Sequence, residues 1–394
     1  MNISVLVGLK NNLKFTKEFY KHFREVYPEE ELVFVSYGSV DGTNEWLDSL
    51  EDSNIRYYYS ETSKTFSDTY NKCVDIATKE YVVMMHNDIL VAPLFLEEIL
   101  KELSKSKVVS YTTVEPPIFM DHPRPGKIIR NFGSDFWDMN KEAFFKFVKE
   151  KQRPAENTLA PGISFFMALS KELFQSIGGF DNTFSPMFCE DSDIISRFSN
   201  KGVEMLTTST ALCYHFVSKT SRFSDEYCNS TKAIELNSIT NFIRKWGYSP
   251  DPTTTYHYNV GLSIKNASEG LIAKLEPYFS TLQVDVDMSS YIEESQGSTA
   301  FNLRSKFISF EEELQTDIIV EVDEDLEDYN SLRILSRIPF FLHKVATLTD
   351  DLEEHNLPAT YKVDHEIKVH IIRFKDRSDE LLTLDSIYYK SKLL

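Results

Sequence analysis

Cysteine is scarce in this 394-residue chain, with four residues, Cys73, Cys189, Cys213 and Cys228, and no CxxC pair among them. A disulfide-stapled scaffold is thereby excluded, and the cysteines read as buried thiols of a reducing compartment. Basic charge is also short. The chain has 42 Lys and Arg against 61 Asp and Glu, a net charge of -19. That balance disfavours a large sequence-independent DNA-binding face, which needs clustered cations, but leaves room for a small basic patch. No apolar run approaches the roughly 20 residues that span a bilayer. Met1-Asn2-Ile3-Ser4 enters a strand at once, with no basic leader or cleavage site, so a soluble, cytoplasmic chain is expected. No Gly-x-Gly-x-x-Gly follows the first strand, which removes a Rossmann-type oxidoreductase. What remains is ample core material, 42% hydrophobic and 13% aromatic, in a chain long enough for two domains.

The run Tyr81-Val82-Val83-Met84-Met85 ends abruptly in His86-Asn87-Asp88. A continuous apolar run reads as a strand buried on both faces. Its polar tip then lies at the strand's carboxyl end, where open α/β sheets bind ligands. An oxygen there suits a hard divalent ion held between protein and phosphate. Around this strand, residues 3–8, Leu32–Val35 and Ile55–Tyr59 read as further strands. They alternate with helices carrying Phe15, Phe19 and Phe23, then Trp46 and Leu47, then Tyr70 and Val74. Thr43 and Ser67 are the expected N-caps of the second and third helices. This alternation predicts a mostly parallel sheet.

Further along, Val108–Thr113 reads as a strand, and 115–160 as an irregular, Pro- and aromatic-rich segment carrying Arg124, Lys127 and Arg130. Gly162–Leu169, Val203–Thr208 and Ala211–His215 read as strands. Cys189-Glu190-Asp191-Ser192-Asp193 opens a helix to Asn200, and a long helix closes the domain at Trp246. Pro250–Thr255 reads as a linker. A smaller α/β domain follows, with strands at Val260–Ile264, Leu282–Val286, Ile318–Val322 and Ile367–Phe374. The expected domains are 1–249 and 256–394.

Several ordered motifs across residues 3–246 resemble family 2 glycosyltransferases, nucleotide-sugar enzymes of the GT-A fold. Ser4-Val5-Leu6-Val7-Gly8-Leu9-Lys10-Asn11 stands where that family has a strand ending in Pro-Thr-Tyr-Asn. Gly38-Ser39-Val40-Asp41-Gly42-Thr43 is similar to its Gly-Ser-Thr-Asp-Gly-Thr loop, and Asn71-Lys72 to its Asn followed by a basic residue. His86-Asn87-Asp88 occupies the place of its Asp-x-Asp metal motif. Gly178-Gly179-Phe180-Asp181 with Glu190-Asp191 resembles its acceptor-side signature, and His215 matches a His that often follows.

The resemblance implies a GT-A domain, Rossmann-like with a mostly parallel sheet, followed by the smaller α/β domain. It implies an inverting transfer of sugar from a nucleotide-diphosphate donor, a UDP-sugar favoured, with Mn2+ or Mg2+ as cofactor. The acceptor is a hydroxyl, on a glycan or polysaccharide precursor, with a modified base in DNA as the minority alternative. Asp191 is the expected general base and Glu190 its companion toward the acceptor; Asp88 and His215 are the expected metal ligands. Gly8, Leu9, Lys10, Ser36, Tyr37, Ser39, Asp41, Ser67, Asn71, His86 and Asn87 are the expected donor contacts. Two departures stand out: Ser36-Tyr37 where the family ends its second strand in Asp, and His86 for the first metal Asp. Tyr37 would stack on the base instead.

Read without the resemblance, each piece has a plainer meaning. Asp41 is a turn former in an Asp-Gly pair. Glu190 to Asp193 is an acidic helix start, with Asp193 favoured by the helix dipole. His215 is a structural histidine, Arg124, Lys127 and Arg130 a solvated loop, and Glu321–Asp328 an acidic surface. A second functional reading is a degenerate module that binds sugars or nucleotides without turnover, and the second domain reads equally as an oligomerisation module.

Overall fold

The computed structural model describes residues 1–120, 123–153, 158–219, 222, 226–250, 258–322, 329–346, 359–363, 367–372 and 386–394. The chain forms two compact units, Met1–Asp191 with Gly202–Ile234, and Ser192–Lys201 with Glu235–Leu394.

The first unit is built on a ten-stranded sheet. Strands β1 (Ile3–Leu9), β2 (Leu32–Tyr37), β3 (Ile55–Ser60) and β4 (Tyr81–Met85) are parallel, in the order β3-β2-β1-β4. Helices α1 (Leu13–Val26), α2 (Thr43–Asp48) and α3 (Phe66–Ile76) connect them as crossovers. Nearly every residue of β1, β2 and β4 is buried, which is why these strands read as unbroken apolar runs. Beyond β4 the order continues through β9 (Met167–Ser170), β6 (Lys107–Glu115), β10 (Glu204–His215) and β5 (Ile89–Val91). β9 is antiparallel to both neighbours, β6 and β10 are parallel, and β5 is antiparallel to β10. The sheet is therefore mixed but mainly parallel.

Some expectations need correction. The cap of α3 is Thr65, not Ser67: Thr65 Oγ1 accepts from Asp68 N at 2.9 Å and Asp68 Oδ2 accepts from Thr65 N at 3.2 Å, a reciprocal capping box. Thr43 is the first residue of α2 rather than its cap, because its N–H and hydroxyl both donate to Asp41 Oδ1. Within 115–160, expected to be irregular, the described residues include β7 (Lys127–Ile129), α5 (Lys141–Lys151) and β8 (Leu159–Pro161). β7 and β8 are short strands that add to β6 and β10, so their existence depends on partners far away in sequence. The two strands expected at Val203–Thr208 and Ala211–His215 are one strand, β10, with a register shift against β6 between Thr207 and Leu212. Helices α4 (Phe95–Glu102), α6 (Lys171–Ser176), α7 (Glu190–Asn200) and α8 (Thr231–Trp246) complete this part of the chain; α7 and α8 each run from the first unit into the second.

The second unit carries a six-stranded sheet in the order β13 (Phe307–Ile308), β12 (Thr281–Gln283), β11 (Val260–Ile264), β14 (Ile318–Val322), β16 (Ile367–Ile371) and β15 (Thr360–Lys362). The first four are parallel and β16 turns antiparallel. Leu262, Ile272, Leu282, Val320 and Leu335 form its apolar core. Glu276 is fully buried there and ion-paired with Arg244, at 3.0 Å, and with Lys306. The expected linker Pro250–Thr255 lies outside the described residues apart from Pro250, and so do residues 323–328 of the acidic stretch. No helix among the described residues is long and apolar enough to cross a membrane.

Candidate active site

Sheet register assembles the site. β4 delivers His86, Asn87 and Asp88 at its carboxyl end, and the chain continues directly into β5. β5 pairs with the end of β10 so that Ile89 lies opposite His215, and Phe216 N donates to Asp88 O at 2.9 Å. On its other side β10 aligns Tyr214 with Val114 of β6, so the following residue, Glu115, reaches His215. Residues far apart in sequence are thereby fixed by backbone pairing alone.

His86, Asp88 and His215 each offer one ligand atom, all within 4.8 Å of one another. His215 Nε2 is 3.3 Å and His86 Nδ1 3.9 Å from Asp88 Oδ1. Atoms bound to one small divalent ion sit about 3 Å apart, so both histidines are within about an ångström of that spacing from Asp88 Oδ1. Asp88 and His215 are buried, and among the described residues neither Asp88 Oδ1 nor His215 Nε2 has a hydrogen-bond partner. The two atoms face each other as a long ion pair when the ring is protonated, and a divalent cation would take the place of that proton. The other oxygen, Asp88 Oδ2, accepts from Lys219 N at 3.1 Å.

The electrostatics follow from these contacts. Burial pushes the Asp88 carboxyl up, but His215 outweighs it and holds the group well below the usual carboxylate range. Burial pushes His215 down, yet the Asp88 and Glu115 carboxylates raise it to about 9. Glu115 falls to about 2, because its bond to His215 and the charges of His215 and Arg124 overcome its burial. His86 is lowered to about 4 by burial, with Asp88 opposing. Its ring stacks on Phe165 at 4.6 Å and meets Phe166 edge-on at 5.2 Å.

Of the expected donor residues, Leu9 and Tyr37 end β1 and β2, Ser39 and Asp41 lie in the loop after β2, and Ser67 and Asn71 lie on α3. Gly8 sits where β1 passes closest to α3: a Cβ there would lie 2.9 Å from both Thr69 and Tyr70. Leu9 ends β1, and Lys10 Nζ donates to Gly38 O and Ser63 Oγ at 2.9 and 2.7 Å. Ser36 is buried and bonds Ser39 and Asn44, both at 2.9 Å; Tyr37 packs edge-on to Tyr58. Asp41 behaves as the turn reading supposed. Its Oδ2 accepts from Leu13 N at 2.7 Å, tying the start of α1 to this loop, while Oδ1 serves Thr43. Ser67 Oγ donates to Asp181 O at 2.7 Å. Asn71 bonds both the N–H and the carbonyl of Phe180, at 2.9 and 2.8 Å, and so pins the Gly178–Asp181 turn to α3. Gly179 is required there, since its φ is +71° and a Cβ would strike Asn71 Oδ1 at 2.6 Å. Asn87 is buried and donates to Thr16 at 2.9 Å.

Glu190, buried, and Asp191, half-buried, open α7. The two residues before them, Phe188 and Cys189, have left-handed φ of 78° and 69°, a costly backbone of the kind that clusters at functional sites. Asp193 takes a different role from the dipole reading. It is fully buried within the second unit, paired with Arg197 at 2.8 Å and Lys245 at 2.6 Å, and accepts from Trp246 Nε1 at 2.9 Å.

Glu115 is the site residue that the sequence reading missed. Its signal is the same as that of Asp88, an acid closing a buried apolar strand: the sequence pattern ends the strand at Thr113, and β6 runs on to Glu115. Arg124 and Lys127 are not a solvated pair: Arg124 ion-pairs with Glu115 and Lys127 lies 3.7 Å from it.

An open, mainly parallel sheet with a candidate metal-ligating group and polar loops at its strand tips is an α/β architecture consistent with a GT-A, Rossmann-like domain. Residues 4–178 match the family model of glycosyl transferase family 2. Among solved structures the chain is similar to the mannosyltransferase PcManGT from Pyrobaculum calidifontis in complex with GDP-Man and Mn2+, at 19% identity and a TM-score of 0.42, over 64% of this chain and 66% of that one. It is also similar to S. aureus TarS, at 16% identity and a TM-score of 0.38, over 55% and 60% of the two chains. A third is GalNAc-T7 with UDP, GalNAc and Mn2+, at 12% identity and a TM-score of 0.47, over 75% and 54%. The chain thus spans less than two thirds of the length of each. No curated protein matches it.

Proposed function

We propose that the chain is an inverting, metal-dependent glycosyltransferase. It moves a sugar from a nucleotide-diphosphate donor, a UDP-sugar favoured, to a hydroxyl of a glycan or polysaccharide precursor. The observation that carries this reading is the convergence of His86, Asp88 and His215 in the domain whose residues 4–178 match the family 2 model.

A bound divalent ion supplies Lewis-acid stabilisation of the charge developing on the leaving diphosphate. Asp88 offers it an anionic oxygen, and His86 and His215 offer imidazole nitrogens. Lys10, Tyr37 and Ser39 border the donor at the tips of β1 and β2. Asp191 accepts the proton of the acceptor hydroxyl as its oxygen bonds to the anomeric carbon. The bond from that carbon to the diphosphate oxygen breaks in the same displacement, its electron pair leaving with the diphosphate, so the configuration inverts. Glu190 orients the acceptor.

A panel of nucleotide sugars, assayed for hydrolysis and transfer with and without Mn2+ or Mg2+, tests the reading. Turnover of at least one donor should require metal. Mn2+ should exceed Mg2+, because two of the three protein ligands are imidazoles. Asp191→Asn should abolish transfer and leave donor binding intact. Metal-independent turnover, or full activity in Asp191→Asn, overturns the proposal.

A further inference from the structure

We infer that Glu115 is a positioning residue for the metal ligand His215, holding the hydrogen on Nδ1 so that the Nε2 lone pair points at the ion. The inference rests on the metal reading above. Glu115 Oε1 lies 2.8 Å from His215 Nδ1, and His215 Nε2 lies 3.3 Å from Asp88 Oδ1. A neutral imidazole has one donor and one acceptor nitrogen, and an ionised carboxylate only accepts. With the ion bound the ring is neutral, so Nδ1 carries the hydrogen toward Glu115 and the Nε2 lone pair is free for the ion. An ion held there would be shared by that lone pair and the Asp88 carboxylate that faces it.

Glu115 is itself held from behind. Thr113 Oγ1 donates to it at 3.0 Å, Arg124 pairs with the same oxygen, and Lys127 lies 3.7 Å from the other. These contacts fix its orientation in a buried place and balance its charge. Asp88 is left as the anion that faces the ion. A carboxylate behind a ligating histidine sets tautomer, ring orientation and ligand basicity, and loss of such a partner costs about 10–100-fold in metal affinity.

The test is Mn2+ titration of the full-length protein, with free Mn2+ followed by electron paramagnetic resonance, in wild type and in Glu115→Gln, Glu115→Ala, Thr113→Val and Asp88→Asn. Both Glu115 variants should bind Mn2+ about 10–100-fold more weakly. Thr113→Val, which removes one donor from Glu115 without touching His215, should weaken Mn2+ binding less than either Glu115 variant does. The visible absorption of bound Co2+ should shift in Glu115→Gln, which a role confined to strand packing would not produce. Melting temperatures taken alongside identify an unfolded variant, and the near-isosteric Gln decides if Ala does not fold. Wild-type affinity and spectrum in Glu115→Gln overturn the inference alone. A wild-type protein that binds no Mn2+, or an Asp88→Asn variant that binds it equally, overturns the metal reading and this inference with it.

Discussion

Four donors converge on the buried carboxylate of Glu31: Ser4 Oγ at 2.6 Å, Thr78 N at 2.7 Å, Arg56 Nε at 3.2 Å, and the Thr78 hydroxyl. Burial pushes this carboxyl up, but the donors outweigh it and hold it below its ordinary 4.5. A depressed folded value stabilises the fold above the unfolded value, and that contribution is lost as pH falls through the folded one. Glu31→Gln should therefore lower the urea midpoint near neutrality, and the gap to wild type should narrow below about pH 4.5. A gap that widens on acidification would contradict this assignment. Legibility at this scale followed chemistry. Asp88 was readable because a lone acid ended an apolar run. Asp193 was read as a helix-start acid, since no local pattern announces that Lys245 and Trp246 will reach it.

At the scale of elements, β1, β2 and β4 were legible because burial on both faces writes a continuous apolar run. Their neighbours β7 and β8 were not, because three-residue strands take their identity from pairing partners. The start of α3 was misread because Thr65 and Ser67 are equally good cap residues by type. The decisive feature is Asp68 three positions after Thr65, which completes the capping box. Thr65→Ala should thus cost about 1 kcal/mol of stability, within the usual 0.5–2 range for a lost cap. Chemical denaturation measures it, and an unchanged midpoint would contradict the assignment.

For the molecule as a whole, the sequence motifs carried the domain class and two members of the candidate metal group, Asp88 and His215, with His86 read as a donor contact. They did not carry the register that joins those residues. That register comes from β10, which lies between β5 and β6 and sets His215 against Asp88 on one side and Glu115 on the other. The most direct measurement of the resulting claim is a crystal structure of the full chain soaked with UDP and Mn2+. The account predicts an ion bonded by Asp88, His86 and His215, with the diphosphate beside it and the nucleoside toward Tyr37 and Asp41. An ion bound elsewhere, or UDP seated away from Asp41 and Asp88, would contradict it.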